Sequence, residues 1–172
     1  MKNQCLVVVK LIGIGLILSM AVTVTAAEPN SIGQILKAKG FEWFIGGWEA
    51  TTDANEKAEA RFELALNGFA LSTKARVGQY EYAGLAYYVQ SKKTIVNTGI
   101  DNGGRIFGGT WEIYGDKLVL NLEQTTPDGT INNFVRYMSK TDANTMKSVT
   151  YQIIEGKRSE EPMSILEFKR KK

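Results

Sequence analysis

The feature that most limits the fold of this chain is a strict alternation of apolar and charged residues in its first half. Every even position from Ala58 to Leu66 is apolar, and the odd positions from Lys57 to Glu63 are charged. A period of two is typical of a β-strand with one buried face. Asn67-Gly68 follows at once, which is a strong indication of a β-hairpin. The segment from Phe69 to Val77 is therefore predicted to return as the partner strand.

The same plan of strand and turn continues along the rest of the chain. Further strands are predicted at Trp43–Thr52, Tyr80–Gln90, Lys93–Ile100, Arg105–Tyr114, Lys117–Thr125, Thr130–Ser139, Thr145–Ile154 and Met163–Lys169. Turns rich in Gly, Asp and Asn separate most of them, at the spacing typical of sandwiches and barrels. The sequence therefore predicts an all-β fold. Short turns favour an up-and-down antiparallel arrangement of about 8–10 strands, and closure into a β-barrel is favoured because it removes the exposed edges. A β-sandwich is the alternative.

One short helix is predicted before the strands. Ser31 and Gln34 have the spacing of a capping box, which satisfies the free amides at the start of a helix. Gly40 is a residue type that commonly ends a helix. A helix from about Ser31 to Lys39 is too short to be stable alone, so it must pack against the strands.

Residues 1–27 have the pattern of a secretory signal peptide. Lys2 and Lys10 form a basic start, Leu11 to Ala27 carries no charge, and small residues end the segment. This order predicts cleavage near Ala27 and export to the periplasm or beyond the cell. The exported domain then spans residues 28–172 and has no stable membrane insertion. An uncleaved membrane anchor is the alternative.

Composition restricts the chemistry open to this domain. The chain has no histidine, and its single cysteine, Cys5, lies in the signal region. Catalysis by Ser-His-Asp, zinc binding by imidazole and histidine-ligated haem are therefore not predicted. We expect no catalytic residues, no metal and no cofactor. A carboxylate-based enzyme is the less favoured alternative, because the glutamates fall on the polar strand faces.

The charge distribution does not favour nucleic acid as a partner. The formal net charge is only +3, and the run Lys169–Lys172 supplies four positive charges. Nucleic-acid binding domains carry a basic patch on a folded face, which is absent here.

Gly46-Gly47-Trp48, directly after the predicted helix, resembles the G-x-W signature that opens the first strand of lipocalins and other calycin barrels. The stretch Phe41–Glu49 is more specifically similar to bacterial exported families of unknown function with a lipocalin-like fold. Asp128-Gly129-Thr130 before Arg136, and the ending Glu167–Arg170, fit the same plan.

This resemblance implies that an arginine from the last strand stacks on the signature tryptophan and closes the barrel. Period two places Arg170 on the apolar face that Leu166 and Phe168 share, so Arg170 is the candidate partner of Trp48. A solvated tail is the alternative for Arg170.

A set of large side chains is predicted to line the interior, because period two places each on the apolar face of its strand. The set consists of Phe62, Leu64, Leu71, Tyr82, Tyr88, Phe107, Trp111, Leu120 and Phe168. Such walls suit a small apolar ligand, lipid-like or aromatic, held by shape with a tyrosine contact and no single charged anchor.

Two questions about this interior stay open. Gly84 could mark a β-bulge, which would shift Tyr82 and Tyr88 out of register. Small residues such as Ala60 and Gly109 on the apolar faces fit either a ligand cavity or a filled core. A filled core would favour an envelope-associated or protein-interaction module instead of a ligand-binding protein.

Overall fold

The computed structural model describes residues 28–172, so the predicted signal peptide lies outside the described residues. Helix α1 spans Ile32–Ala38. The strands are β1 Gly46–Thr51, β2 Lys57–Ala65, β3 Ala70–Val77, β4 Tyr80–Val89, β5 Thr94–Asp101, β6 Ile106–Tyr114, β7 Lys117–Thr125, β8 Ile131–Asp142, β9 Thr145–Ile154, β10 Lys157–Arg158 and β11 Ser164–Arg170. Across residues 28–172, no helix is long and apolar enough to cross a membrane.

Ten of these strands form one closed antiparallel barrel. Strands β1 to β9 pair with their neighbours in chain order, β9 pairs with β11, and β11 pairs with β1. The two-residue strand β10 extends the hairpin after β9. The prediction of an up-and-down barrel with a short N-terminal helix is therefore confirmed, and the sandwich alternative is wrong.

The alternating segment forms β2, and its hairpin differs from the prediction only at the turn. Ala65 pairs with Ala70, so four residues connect the strands instead of two. Leu66 and Asn67 both have positive φ values, 50° and 55°. Leu66 before the predicted Asn-Gly pair and Phe69 after it both belong to the turn, so β3 begins one residue later than predicted.

Helix α1 is held at both ends by the residues that predict it. The Ser31 hydroxyl accepts a hydrogen bond from the Gln34 amide at 3.3 Å. Gly40, at φ +74°, follows the helix. Its amide donates to the Lys37 carbonyl, and the Phe41 amide donates to the Leu36 carbonyl. This paired arrangement satisfies carbonyls that the end of a helix otherwise leaves free.

Helix α1 and the 3₁₀ turn Glu42–Phe44 close one end of the barrel. Ile32, Leu36 and Phe44 are buried in the main core cluster. The Phe44 ring lies 3.9 Å from the Phe62 ring and 5.4 Å from the Trp111 ring, between centroids. The predicted strand from Trp43 is therefore wrong at its start, because Trp43 and Phe44 turn across the end of the barrel.

The two ends of the barrel consequently differ. The helix end carries α1 and the β2–β3, β4–β5, β6–β7 and β8–β9 connections. The turn end carries the β1–β2, β3–β4, β5–β6 and β7–β8 connections and the connection from β9 through β10 to β11. This asymmetry leaves the turn end as the open side of the interior.

Candidate functional site

The barrel encloses a cavity of about 140 Å³ between the core at the helix end and the turn end. Its walls come from inward positions of nine strands, β2 to β9 and β11. The apolar lining includes Phe62, Phe107, Trp111, Leu120, Leu122, Met138, Met146 and Phe168. Alternation along each strand places these side chains inside while their neighbours face solvent.

Tyr82 occupies the part of the interior where two glycines face each other. Gly84 on β4 pairs with Gly99 on β5. A Cβ atom at Gly84 would lie 2.2 Å from the Tyr82 hydroxyl, and one at Gly99 would lie 2.4 Å from it. The missing side chains therefore make room for the phenol. Strand β4 keeps a regular register through Gly84, so the suspected bulge is absent from this strand.

A chain of polar contacts fixes the orientation of Tyr82. The Asn97 amide nitrogen donates to the Tyr82 hydroxyl oxygen at 3.4 Å. The Trp111 indole donates to the Asn97 amide oxygen at 3.3 Å. Burial is the main cause that raises the pKa of Tyr82 above its usual value. The phenol therefore stays protonated and keeps its O–H as a donor on the cavity wall.

Arg136 lies inside the barrel, which the sequence interpretation did not anticipate. On β8 it pairs with Leu120 of β7 and Thr150 of β9. Its Nε atom donates to the Thr150 hydroxyl at 3.0 Å. Burial lowers the pKa of Arg136 below its usual value, and the nearby Tyr80 and Tyr82 act in the opposite direction. An arginine nonetheless remains protonated at neutral pH. The cavity wall therefore carries a charged side chain that the sequence did not predict.

Thr73 supplies another polar group to the cavity wall. It lines the cavity from β3 and is 8% exposed. Within residues 28–172, its hydroxyl is the buried side-chain oxygen that has no hydrogen-bond partner. Leaving such a group unpaired costs about 1–3 kcal/mol. The cavity wall therefore combines an apolar surface with a few polar groups that are free to bind a ligand.

The cavity opens toward the turn end beside Tyr80 and Arg136, which line both the cavity and the outer opening. Asp101 and Arg105 organise one side of this opening. The Arg105 Nε atom donates to the Asp101 carboxylate at 2.5 Å, and Arg105 lies 4.9 Å above the Tyr80 ring. The Gly103 and Arg105 amides also donate to Asp101, each at 2.9 Å. The Asp101 carboxylate is thus already satisfied by the protein.

The net effect on Asp101 is a pKa below its usual value. Burial alone raises the pKa of this carboxyl group, but the hydrogen bonds from Arg105 and Gly103 outweigh it. Asp101 therefore stays ionised and neutralises Arg105. It does not form an ion pair with Arg136.

The predicted interior residues separate into two groups along the barrel axis. Phe62, Tyr82, Phe107, Trp111, Leu120 and Phe168 line the cavity. Leu71 is fully buried and Tyr88 is partly buried, but both lie in the core outside the cavity lining. Leu64 is 44% exposed near the β2–β3 turn. The alternation along the strands correctly predicted that these three side chains face inward. They lie closer to the helix end of the barrel, however, and so do not reach the cavity.

Trp48 and Arg170 lie together where the first and last barrel strands meet. They are register partners on β1 and β11. The Arg170 guanidinium lies 4.3 Å above the Trp48 ring and donates to the Ile45 carbonyl at 2.9 Å. A Cβ atom at Gly46, where φ is +130°, would lie 2.6 Å from Arg170 Nη1. Glycine at this position therefore allows the arginine to approach.

A larger open groove of about 850 Å³ lies along β1 to β5, with much of its lining on their outer faces. Most of its charged side chains are exposed, and several form ion pairs with each other. Arg61 lies 2.7 Å from Glu63, and Lys171 lies 2.6 Å from Glu59. Solvated pairs of this kind contribute little and offer no enclosed surface. The interior cavity is the better candidate site.

In the described part of the chain, no group of three or more Cys, Asp or Glu side chains is placed to hold a metal. No known family model matches the chain, and no curated protein matches its sequence. The closed ten-stranded antiparallel barrel is consistent with a lipocalin-like fold.

Proposed function

We propose that this protein is an exported, non-enzymatic binding protein that holds a small, largely apolar molecule inside its barrel. The observation that carries the proposal is the 140 Å³ cavity with predominantly hydrophobic walls, beside the open turn end. A dry apolar cavity of about this size in a protein can bind benzene.

The size of the cavity limits the ligand. Sites for drug-sized molecules have volumes of about 300–1,000 Å³. A cavity of about 140 Å³ is smaller and suits a single aromatic ring or a short branched chain. A long lipid chain would have to project through the opening at Tyr80. We therefore favour the aromatic or short-chain class over a long-chain lipid.

The proposed kinship is with bacterial exported families of lipocalin-like fold. The closed barrel and the contact between Trp48 and Arg170 support it. Export rests on the pattern of residues 1–27 alone. The intact mass of the exported protein tests it: a start near Ala27 or Glu28 is expected, and a species that retains Met1–Lys10 contradicts cleavage.

The proposal of a non-enzymatic role rests on the state of the buried acids. Among residues 28–172, Asp101 is the carboxylate that the fold buries. Three donor groups hold it ionised at the rim, and it lies outside the cavity lining. A general acid or base needs a pKa near the working pH. The pKa of Asp101 is instead lowered, so this carboxylate does not meet that requirement.

The binding test uses benzyl alcohol as a neutral probe and two matched variants. Ala75→Leu adds its side chain inside the cavity, and Ala83→Leu adds the same atoms to the exposed face of the neighbouring strand. We expect saturable chemical-shift changes at the Met138 and Met146 methyl groups in the unmodified protein. Ala75→Leu should abolish them, because the added atoms occupy the space, and Ala83→Leu should leave them unchanged.

Absence of saturable binding by the unmodified protein would contradict the proposal. Equal binding by the Ala75→Leu variant would place the probe elsewhere and contradict it too. Either result would leave a filled-core interaction module as the better account of the barrel.

A further inference from the structure

We propose that Arg136 makes the cavity selective for a small apolar carboxylic acid, whose carboxylate the guanidinium binds inside the barrel. This inference rests on the proposed function, because it needs the interior cavity to accept a ligand. It adds the chemical class of that ligand and the residue that recognises it.

The surroundings of Arg136 are unusual for a charged side chain. Its neighbours across the sheet are Leu120 and Thr150. Phe134 and Met138 lie on the same face of β8, and neither carries a charge. The Thr150 hydroxyl is neutral, so the hydrogen bond from Nε does not balance the positive charge.

Within residues 28–172, Arg136 forms no ion pair with a carboxylate, and neither of its terminal nitrogens has a hydrogen-bond partner. Two other arginines show the usual arrangement. Arg105 is paired with Asp101, and Arg170 donates to the carbonyls of Trp43 and Ile45. Arg136 is therefore a partly buried cation on the cavity wall, and its two terminal nitrogens are free to donate.

An unpaired charge in a protein interior is costly, and proteins normally pair it. Arg136 is partly buried, and a bound anion would lower this cost because it neutralises the guanidinium and accepts hydrogen bonds from the free N–H groups. The atoms that remain free, Nη1 and Nη2, form a planar fork. This fork matches the two oxygens of a carboxylate, which it binds through two parallel hydrogen bonds.

The other cavity residues fit the rest of such a molecule. The Thr73 hydroxyl has no protein partner, and the Tyr82 phenol retains its O–H donor. Both lie on the cavity wall with Arg136. The walls beyond them are formed by Phe62, Trp111 and Met146, which suit an aromatic or branched apolar group. A strongly hydrated anion without an apolar part would gain nothing from those walls.

The test compares sodium benzoate with its neutral analogue benzyl alcohol by isothermal titration calorimetry at fixed ionic strength. Benzoate should bind about 10- to 100-fold more tightly, the range expected for hydrogen bonds to a charged group. Chemical shifts of the Met138 and Met146 methyl groups report whether each probe is inside the barrel. Inorganic phosphate serves as the anion without an apolar part and should bind more weakly than benzoate.

Three variants distinguish the fork from the charge. Arg136→Met should bring benzoate down to the affinity of benzyl alcohol and leave benzyl alcohol binding in place. Arg136→Lys keeps the charge but loses the fork, so benzoate should bind about 10-fold more weakly than to the unmodified protein. Arg61→Met removes a positive charge from an exposed ion pair outside the barrel and should have no effect. If Arg136→Met does not fold, Arg136→Lys decides the question.

The outcomes separate this inference from the proposed function. Equal affinities for benzoate and benzyl alcohol in the unmodified protein would overturn the role of Arg136 and leave the ligand cavity in place. Unchanged benzoate selectivity in Arg136→Lys, or phosphate binding as tight as benzoate, would also overturn it. If neither organic probe binds, the proposed function fails, and this inference fails with it.

Discussion

Two charged groups in the barrel, Asp101 and Arg136, illustrate how differently single residues are accommodated. Asp101 receives hydrogen bonds from Gly103 and Arg105, so its charge is fully used within the fold. Arg136 has only the neutral hydroxyl of Thr150 as its hydrogen-bond partner. The hydrogen bonds to Asp101 stabilise the turn end, whereas Arg136 keeps N–H groups on the cavity wall that are free to bind a ligand.

Replacement of Asp101 by Asn should destabilise the protein in a pH-dependent way. The pKa of Asp101 is lower in the folded state, so its contribution is complete above the unfolded pKa and is lost as the pH falls through the folded pKa. We expect Asp101→Asn to lower the free energy of unfolding by about 2 kcal/mol at neutral pH, from the loss of charged hydrogen bonds. Urea unfolding at several pH values measures this.

The difference between the two proteins should shrink as the pH falls below about 4, because the carboxyl group becomes protonated first in the unfolded state and, at lower pH, in the folded state. Asp116→Asn, an exposed carboxylate in the β6–β7 turn, is the control and should have little effect. A stability difference that stays constant down to pH 2 would contradict the ionic role of Asp101.

Parity along the strands was enough to predict most of the aromatic residues on the cavity wall but not its arginine. Strands β2 and β6 alternate clearly, so Phe62, Phe107 and Trp111 could be placed from the sequence. Strand β8 mixes polar and apolar residues on both faces, which hides the inward direction of Arg136. Once Phe134 and Met138 are taken as inward, Arg136 must share their face. Leu64 shows a second limit of this reasoning. The alternation predicts which face of the strand carries Leu64, but it does not predict how far along the barrel Leu64 lies from the cavity.

Among the elements, helix α1 has a role that its sequence alone does not reveal. Its cap residues predict where it begins and ends, and its length predicts that it must pack against something. Only the fold shows that it covers the helix end of the barrel, with Ile32 and Leu36 buried there. The turn after β2 is the matching case, because Asn67-Gly68 predicts a hairpin but not the extra left-handed residue Leu66.

Loss of the α1 cap should loosen the helix end without opening the sheet. In Ser31→Ala, the Gln34 amide loses its acceptor, and we expect a cost of about 1 kcal/mol. Hydrogen exchange should accelerate at the amides of α1 and stay unchanged in strands such as β6. Ser72→Ala, on the outer face of β3, is the control. Equal acceleration in α1 and β6 would show that the helix does not open separately.

For the whole molecule, closure depends on a short contact between β1 and β11. The register partners there are Trp48 with Arg170 and Glu49 with Lys169. The neighbouring β1–β2 pairing runs along the whole of β1. The Arg170 side chain reinforces the short contact through Trp48 and the carbonyls of Trp43 and Ile45.

Arg170→Met should therefore weaken closure by about 2–3 kcal/mol, since it removes a cation–π contact and hydrogen bonds from a charged donor. The midpoint of urea unfolding measures the loss. Lys172→Met removes a positive charge from the same segment without those contacts and should leave the midpoint nearly unchanged. Equal midpoints for both variants would contradict the closing role of Arg170.

The closing contact also has a consequence for how the barrel folds and how long it stays folded. Arg170 and Ile45 are 125 positions apart, whereas the hairpins from β1 to β9 join adjacent segments. Contacts across so long a loop form late, because the loss of chain entropy comes before any gain. We therefore expect the hairpins to set the speed of folding. We expect the stack of Arg170 on Trp48 to act mainly on the rate of unfolding, since interactions that are absent from the transition state act on that rate.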